Sequence, residues 1–598
     1  MKITIPAFNM LASAFVAVSI TAAIFFMPIR VLAQTIQLDE SYDDWTQIDP
    51  LFEQERSLSG LKTLKMTNDD RYLYLYMEFA EEIILQDGHD YVWLIDADAN
   101  AQTGRAWSSG GNTLGAELMI AFGDRDITAY LSTATVEKSS YDMGMVNAPT
   151  VSSREFEVVI DRRIILEDAP WLVGDNIRVG IAEGTTLREE TGVLSYTMRD
   201  QVYEPDIFSI TKEDESDMRV VSYNVQRDNP FDVLVNPRFG RLFKALDPDI
   251  VGVQEVYNYS SAQLASLFEQ WLPTTEGKAW YHGGHDAGEG DTHLISRYPV
   301  VASDQIDKES TVYMVDKEGQ PIMVISSHPP CCNNDDGRRL AFNNMMQFID
   351  RAKKGEGPEA FHLEEGTPII ITGDMNLVRD ADQQRTLVHG EYTDPSYGPD
   401  MTPDWDGSSF EDSKAANPFM PTSFTWYSPQ SSFGAGRLDY IVYSGSVLTQ
   451  KNAFSLHTPS LPDEAFAPGG VAEGLEKLDT QEASDHLPVV VDFGFPNATS
   501  TQEHLNLGSV PSSVRIDQAY PNPFNPSLQI IYTLDQAASA TVDVINSIGQ
   551  TVRHIPRGLQ PSGQHTLTLS MESYPSGTYF LRIQTTSFSD TKVVSLIR

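Results

Sequence analysis

Three textures of apolar and polar residues follow one another along the chain. Between residues 34 and 210, "LKTLKMTNDDRYLYLYMEF" alternates aromatic and polar positions around an Asn-Asp-Asp turn. Period-two alternation broken by a turn predicts hairpin strands. "YVWLIDADANAQTG" reads as a strand entering an acidic loop, and "EFEVVIDRRII" as another strand. Long helical periods are few, so 34–210 is predicted to be a β-sandwich. A charged stretch, "TKEDESD" at 211–217, reads as a linker. Residues 218–494 then mix apolar strand runs with helical spacing, as in "RLAFNNMMQFIDRAKK". A second polar linker covers 495–515. From 516 to 598 short strands return in "LQIIYTL", "ATVDVINS" and "GTYFLRIQT". Their number and length suit a small immunoglobulin-like β-sandwich.

Composition adds location and limits the partners. The 598 residues suffice for about three or four domains. Lys2, the run "MLASAFVAVSITAAIFFM" and the small residues Val31 and Ala33 predict a secretory signal peptide over 1–33. A retained anchor is the alternative, since the run approaches a membrane span in length. No later segment is apolar enough to span. The net charge is -42, which repels polyanions at long range. That argues against a nonspecific nucleic-acid binder but leaves a metal-dependent phosphodiesterase open. The two cysteines, Cys331 and Cys332, are adjacent. They are too few for a zinc site, can form only a strained vicinal bridge or remain thiols, and read as local loop structure.

The central stretch carries the chemistry. Several of its apolar runs meet polar residues at one end. "RVVSYNV" ends at Asn224, "DIVGVQEV" at Glu255, "IMVISSH" at His328 and "PIIITGDMN" at Asp374 and Asn376. "RLDYIVYS" carries Asp439 near its start, and "SDHLPVVVDF" begins with Asp485 and His486. Unpaired carboxylates at the ends of buried strands are costly. If the strands converge, the charged cluster calls for a cation and a substrate to balance it.

"SYNV", "QEV", "LISRYP", "GDMN", "RLDY" and "SDHLPV" stand in the order of the sequence blocks of the endonuclease/exonuclease/phosphatase family, which includes deoxyribonuclease-I-like nucleases and neutral sphingomyelinases. Residues 218–494 resemble that family over nearly their whole length. The resemblance implies a four-layer α/β sandwich, two stacked mixed sheets flanked by helices, with the site at one end. It implies Glu255 as the first ligand of Mg2+ or Mn2+, supported by Asn224 and Asp485. It implies His486 as general base oriented by Asp439. Asp374 and Asn376 would orient water and phosphate, and His328 would donate to a phosphate oxygen or the leaving group. Arg297, Arg338 and Arg437 are candidate phosphate clamps, with Arg339 beside them, because guanidinium pairs well with phosphate oxygens. The loop "HPPCCNNDD" departs from relatives that continue with an aliphatic residue after the histidine, which leaves the substrate open.

The flanks carry resemblances too. "DDWTQIDP", "DDRYLYLYMEF" and "LIDADANAQTG" are similar to family-nine carbohydrate-binding modules. Asp96, Asp98 and Asn100 alternate like the oxygen ligands of a Ca2+ loop, and glycan is a candidate partner. "AYPNPFNPS" and "SGTYFLRI" resemble the sorting domains of type IX secretion, which implies export or attachment to the cell surface. The expectation is a secreted, monomeric, metal-dependent phosphoesterase acting on nucleic acid. The alternatives are a phospholipase-C-like or phosphatase activity on lipid or small esters, and a catalytically dead binding protein.

Overall fold

The computed structural model describes residues 36–495 and 514–597, apart from short stretches at 55–59, 124–125, 131–134, 164, 167–168, 171–173, 189–190, 206–207, 276–278, 523, 535–537, 547–550, 561, 573 and 586–588. The expected signal peptide and most of the 495–515 linker lie outside the described residues. The chain divides into two units, Met1–Ala498 and Thr499–Arg598.

The first unit opens with two antiparallel sheets. One joins Pro50–Glu53, Leu61–Asn68, Tyr72–Ile83, Ser153–Asp161 and Val146–Ala148 in that order. The other is built on Asn176–Glu183, Tyr91–Asp96, Leu118–Ala121 and Asp126–Tyr130. The alternation along Tyr72–Ile83 sorts its side chains between two cores. Leu73, Leu75 and Met77 meet Trp93 and Ile95 of the facing sheet. Tyr72, Tyr74 and Tyr76 turn the other way, and with Trp45 and Leu38 they pack on Phe424, Ala435 and Leu487. The tyrosine face is therefore buried against the central domain.

The central domain contains two six-stranded sheets. Its strands are β1 (Met218–Asn224), β2 (Ile250–Gln254), β3 (Tyr281–Gly283), β4 (His293–Ser296), β5 (Val300–Gln305), β6 (Ser310–Lys317), β7 (Gln320–Ser327), β8 (Ile369–Asp374), β9 (Glu411–Asp412), β10 (Asp439–Tyr443), β11 (Thr449–Ser455) and β12 (Val489–Gly494). The sheet orders are β3-β4-β2-β1-β12-β11 and β5-β6-β7-β8-β10-β9. The main helices are α1 (Asn236–Leu246), α2 (Ser261–Trp271), α3 (Asp335–Lys353) and α4 (Asp382–His389).

Strands buried on both faces read as continuous apolar runs, and register divides their side chains. Along β1, Met218 and Val220 join Val324, Ile370 and Ile441 of the other sheet. Val221 and Tyr223 instead join Phe239, Phe243 and Phe268 of α1 and α2. Along β8, Ile370 faces the first sheet, while Ile369 and Ile371 pack with Phe342 and Met345 of α3. The second unit has a three-stranded and a four-stranded sheet around one core, with Leu528, Ile530, Val542 and Leu581 at its centre.

Candidate active site

Register brings the polar strand ends together. β1 and β2 run parallel with Asn224 opposite Gln254, and β7 and β8 run parallel with Ser327 opposite Gly373. β10 runs antiparallel to β8 with Asp439 opposite Asp374. β12 runs antiparallel to β1, so the Asp485–His486 segment enters at the same end. The C-terminal ends of β1, β2, β7 and β8 thus meet the N-terminal ends of β10 and β12. Gln254 Nε2 donates to Ser326 Oγ across the sheets at 3.2 Å. Gly373 is required by space, since a Cβ there would lie 1.9 Å from the Ser327 carbonyl oxygen.

Asp374 is the hub of the cluster. Asn224 Nδ2 donates to Asp374 Oδ2 and to Glu255 Oε1, each at 3.0 Å. His486 Nε2 lies 3.5 Å and His328 Nε2 3.6 Å from Asp374 Oδ2. Each imidazole is backed by a carboxylate on its other nitrogen. His486 Nδ1 meets Asp439 Oδ2 at 2.8 Å, and His328 Nδ1 meets Asp291 Oδ2 at 2.6 Å. Asn376 N donates to Asp374 Oδ1 at 3.1 Å, and Asn376 Nδ2 donates to the Pro329 carbonyl at 3.0 Å. The Arg227 amide donates to Glu255 Oε2 at 3.0 Å. Glu255, Asn376 and the run Gln226, Arg227, Asp228 all hold positive φ, between 50° and 66°. Side chains with a Cβ rarely adopt that region, and such backbone gathers at functional sites.

The charges fix protonation. Burial disfavours the imidazolium of His328, but the Asp291 hydrogen bond and the Asp374 charge outweigh it and raise the pKa to about 9. For His486 burial is likewise outweighed, by Asp439 and Asp374, and its pKa also rises. Burial raises Asp439, against the pull of His486. The carboxylates around each ring thus favour its protonated form.

The donor set suits a hard divalent cation. It offers the carboxylates of Glu255 and Asp374, held 3.0 Å from one amide nitrogen. Ligand atoms of Asp374, Asp439 and His486 lie within 4.8 Å of one another. Oxygen-rich sets of this kind match magnesium or manganese better than soft metals.

Some expected site residues take other parts. Asn224 faces the carboxylates with its NH2 group, while its oxygen accepts from Gln226 N at 3.0 Å. It bridges the two carboxylates. Asp485 Oδ2 accepts from Trp426 Nε1 at 3.2 Å, one step outside the hub. Arg297, Arg338 and Arg437 are engaged elsewhere. Arg297 binds Asp247 and the Pro248 carbonyl and lies 4.8 Å over Trp280. Arg338, with no exposed surface, holds Gln383, Asp335 and the carbonyls of Pro330 and Cys332. Arg437 is buried with Asp412 and Glu40, 4.0 Å over Tyr440. Each of the three guanidiniums thus already faces a carboxylate of its own surroundings. Arg339 pairs with Asp382 at 3.0 Å.

In the N-terminal acidic loop, Asp96 pairs with Arg178, and Asn100 N donates to Asp98 Oδ1 at 2.9 Å. Glu117 joins Asp96 and Asp98, the ligand atoms of the three carboxylates lying within 4.8 Å of one another. Two site residues were missed. Asp291 precedes "LISRYP" and orients His328. Asp228 ties the loop after β1 to that after β2, accepting from Tyr257 N at 2.7 Å and Asn258 Nδ2 at 2.6 Å. Neither residue ends an apolar run of the sequence.

Comparison with known proteins decides the family of the central domain. Residues 221–486 match the model of the Endonuclease/Exonuclease/phosphatase family. The central domain belongs to this family. Residues 518–596 match the Secretion system C-terminal sorting domain, so a phosphatase-family domain and a sorting domain share one chain. Among solved structures the chain is similar to humanized D. rerio TDP2, at 17% identity over 47% of this chain and 100% of that one, TM-score 0.30. It is also similar to the human Nocturnin catalytic domain, at 16% identity over 47% and 95%, TM-score 0.28. Sphingomyelinase C from Streptomyces griseocarneus matches at 13% identity over 46% and 99%, TM-score 0.30. No curated protein matches the chain. The sorting domain indicates secretion or surface attachment. No helix among the described residues is long and apolar enough to cross a membrane.

Proposed function

We propose that the protein is a secreted, divalent-metal-dependent phosphoesterase that hydrolyses phosphodiester bonds in extracellular nucleic acid. One observation carries the phosphoesterase reading: Asp374 accepts from Asn224 and faces Nε2 of two histidines, each oriented by its own carboxylate. The layer order helix, sheet, sheet, helix is our reading of the three central cores, and it sets this cluster at one end. Magnesium or manganese at Glu255 and Asp374 would supply charge neutralisation on the phosphoryl oxygens. Asp439 keeps Nε2 of His486 directed at the reacting centre, where it holds or accepts a proton. Asp291 does the same for His328, which donates from Nε2 to a phosphoryl or leaving oxygen. Asn376, with its amide fixed by the Pro329 carbonyl, keeps the backbone beside Asp374 in place. Arg227 replaces the arginines expected to clamp phosphate. It is exposed beside Glu255, and among the described residues no ion pair engages its guanidinium.

A lipid or small ester substrate is the second reading. Val233 and Leu234 are 81% and 76% exposed in the loop that leaves Arg227, an apolar tip that suits a lipid surface. The net charge of -42 also disfavours a polyanion. The test is hydrolysis by the full-length protein with magnesium and with chelator, offering plasmid DNA, RNA, sphingomyelin and a generic phosphodiester. Metal-dependent cleavage of DNA or RNA supports the first reading, and cleavage of sphingomyelin alone supports the second. No turnover of any substrate with magnesium or manganese rejects both.

A further inference from the structure

The loop between β7 and α3 carries the chain's two cysteines next to the cluster. Both thiols are exposed, and their sulfur atoms face each other at 2.6 Å. Cys332 holds φ at 65°, a left-handed backbone that costs energy for a residue with a Cβ. The loop is tied down on both sides of the pair. Ahead of it, the Pro329 carbonyl accepts from Asn376 Nδ2 at 3.0 Å. Behind it, buried Arg338 holds the carbonyls of Pro330 and Cys332 at 2.9 and 3.0 Å. Asn334 caps α3 by accepting from Gly337 N at 3.1 Å. The backbone that fixes Asn376 is thus the backbone that brings the two sulfurs together. No third cysteine exists to compete for either thiol.

We propose that Cys331 and Cys332 form a vicinal disulfide that locks this loop in the conformation holding Asn376. The coupling to turnover rests on the hydrolytic reading of the site. The sorting domain indicates that the protein works outside the cell, where disulfides persist. The oxidant is a small-molecule or protein disulfide. One cysteine thiolate attacks it, forming a mixed disulfide and releasing one thiol. The neighbouring thiolate then attacks the protein sulfur of that mixed disulfide and releases the second thiol. Two electrons and two protons pass from the cysteine pair to the oxidant. Burial and the adjacent sulfur push the Cys331 thiol up to about 11, so closure is faster in mildly alkaline solution.

The experiment uses full-length protein, equilibrated with glutathione disulfide or with dithiothreitol and freed of reagent. Thiol titration and intact mass are read first. The oxidised protein is expected to show no titratable thiol, a mass lower by two hydrogens, and no change in oligomeric state. Reduction should restore both thiols. Hydrolysis of a generic phosphodiester should then fall about fivefold, the kinetic worth of one positioning hydrogen bond. C331S and C332S should show the reduced rate under both conditions. Two thiols that stay titratable in excess glutathione disulfide would overturn the disulfide, as would only mixed adducts or cross-linked dimers. A closed disulfide with equal rates in both redox states would overturn the coupling. If neither state hydrolyses any substrate, the hydrolytic reading fails, while the thiol and mass data still decide the disulfide.

Discussion

Asp374 receives Asn224 and faces two imidazoles, so it joins both halves of the site. Asp374→Asn is expected to lower kcat by at least about a hundredfold with the fold intact. His486→Ala should cost a similar factor. Near-wild-type turnover of either variant, with unchanged thermal denaturation, would remove that residue from the mechanism. His457 makes a different point at the same scale. Its ring is buried between Phe424 and Tyr427, and neither nitrogen has a hydrogen-bond partner. Burial pushes its pKa down to about 3. The unfolded chain therefore binds a proton below the ordinary histidine value of about 6.5 that the folded chain refuses. Stability is present above that value and is lost as pH falls toward 3, by about 1.4 kcal/mol per pH unit. His457→Phe should flatten the fall in Tm between pH 7 and pH 5. An unchanged slope would mean that His457 is not the group responsible.

At the scale of elements, the loop after β8 leans on the N-terminal sandwich. Thr150 Oγ1 donates to the Leu377 carbonyl at 2.8 Å, one residue beyond Asn376. Ser152 N donates to the Arg379 carbonyl at 2.6 Å, and Arg379 N donates to the Thr150 carbonyl at 3.3 Å. Thr425 Oγ1 accepts from Asp439 N at 2.8 Å, and its neighbour Phe424 is buried by the tyrosine face. The sandwich thus supports both loops that flank the cluster. Thr150→Val is expected to lower kcat about fivefold with KM unchanged, and Thr150→Ser to restore it. Steady-state kinetics on the two variants separate this from a loss of folding. Failure of Thr150→Ser to recover turnover would assign the effect to packing of the methyl group.

Within the first unit, the sandwich and the central domain share an apolar contact in which Tyr72, Tyr74 and Tyr76 meet Phe424, Ala435 and Leu487. Expressed alone, residues 218–494 would expose the central half of that contact. The fragment is expected to be less soluble and to melt well below residues 34–494. A fragment that equals the longer protein in Tm and rate would show that the sandwich is a passive neighbour. The second unit has its own core and its own family match, which fits a separate sorting function.

The strings "GDMN", "RLDY" and "SDH" were legible because a buried strand needs an apolar run, and polar residues just beyond it stand out against that run. That local contrast marked Glu255, His328, Asp374, Asp439 and His486, and six such strings in order indicated the family. Asp291 escaped because it precedes β4 of one sheet and meets His328, after β7 of the other sheet, only in the tertiary fold. The partners of the arginines escaped because an ion pair is defined by both its members: Arg437 meets Glu40 from the opposite end of the unit. The tyrosines of Tyr72–Ile83 carried the right period, but period alone does not say what covers a face. The sequence by itself determined which residues end the buried strands, through short-range hydrophobic pattern. Only the tertiary structure decided which amide bridges which carboxylates, which arginines are already occupied, and that the sandwich braces the site. Those contacts join residues far apart in the chain, so no local pattern records them.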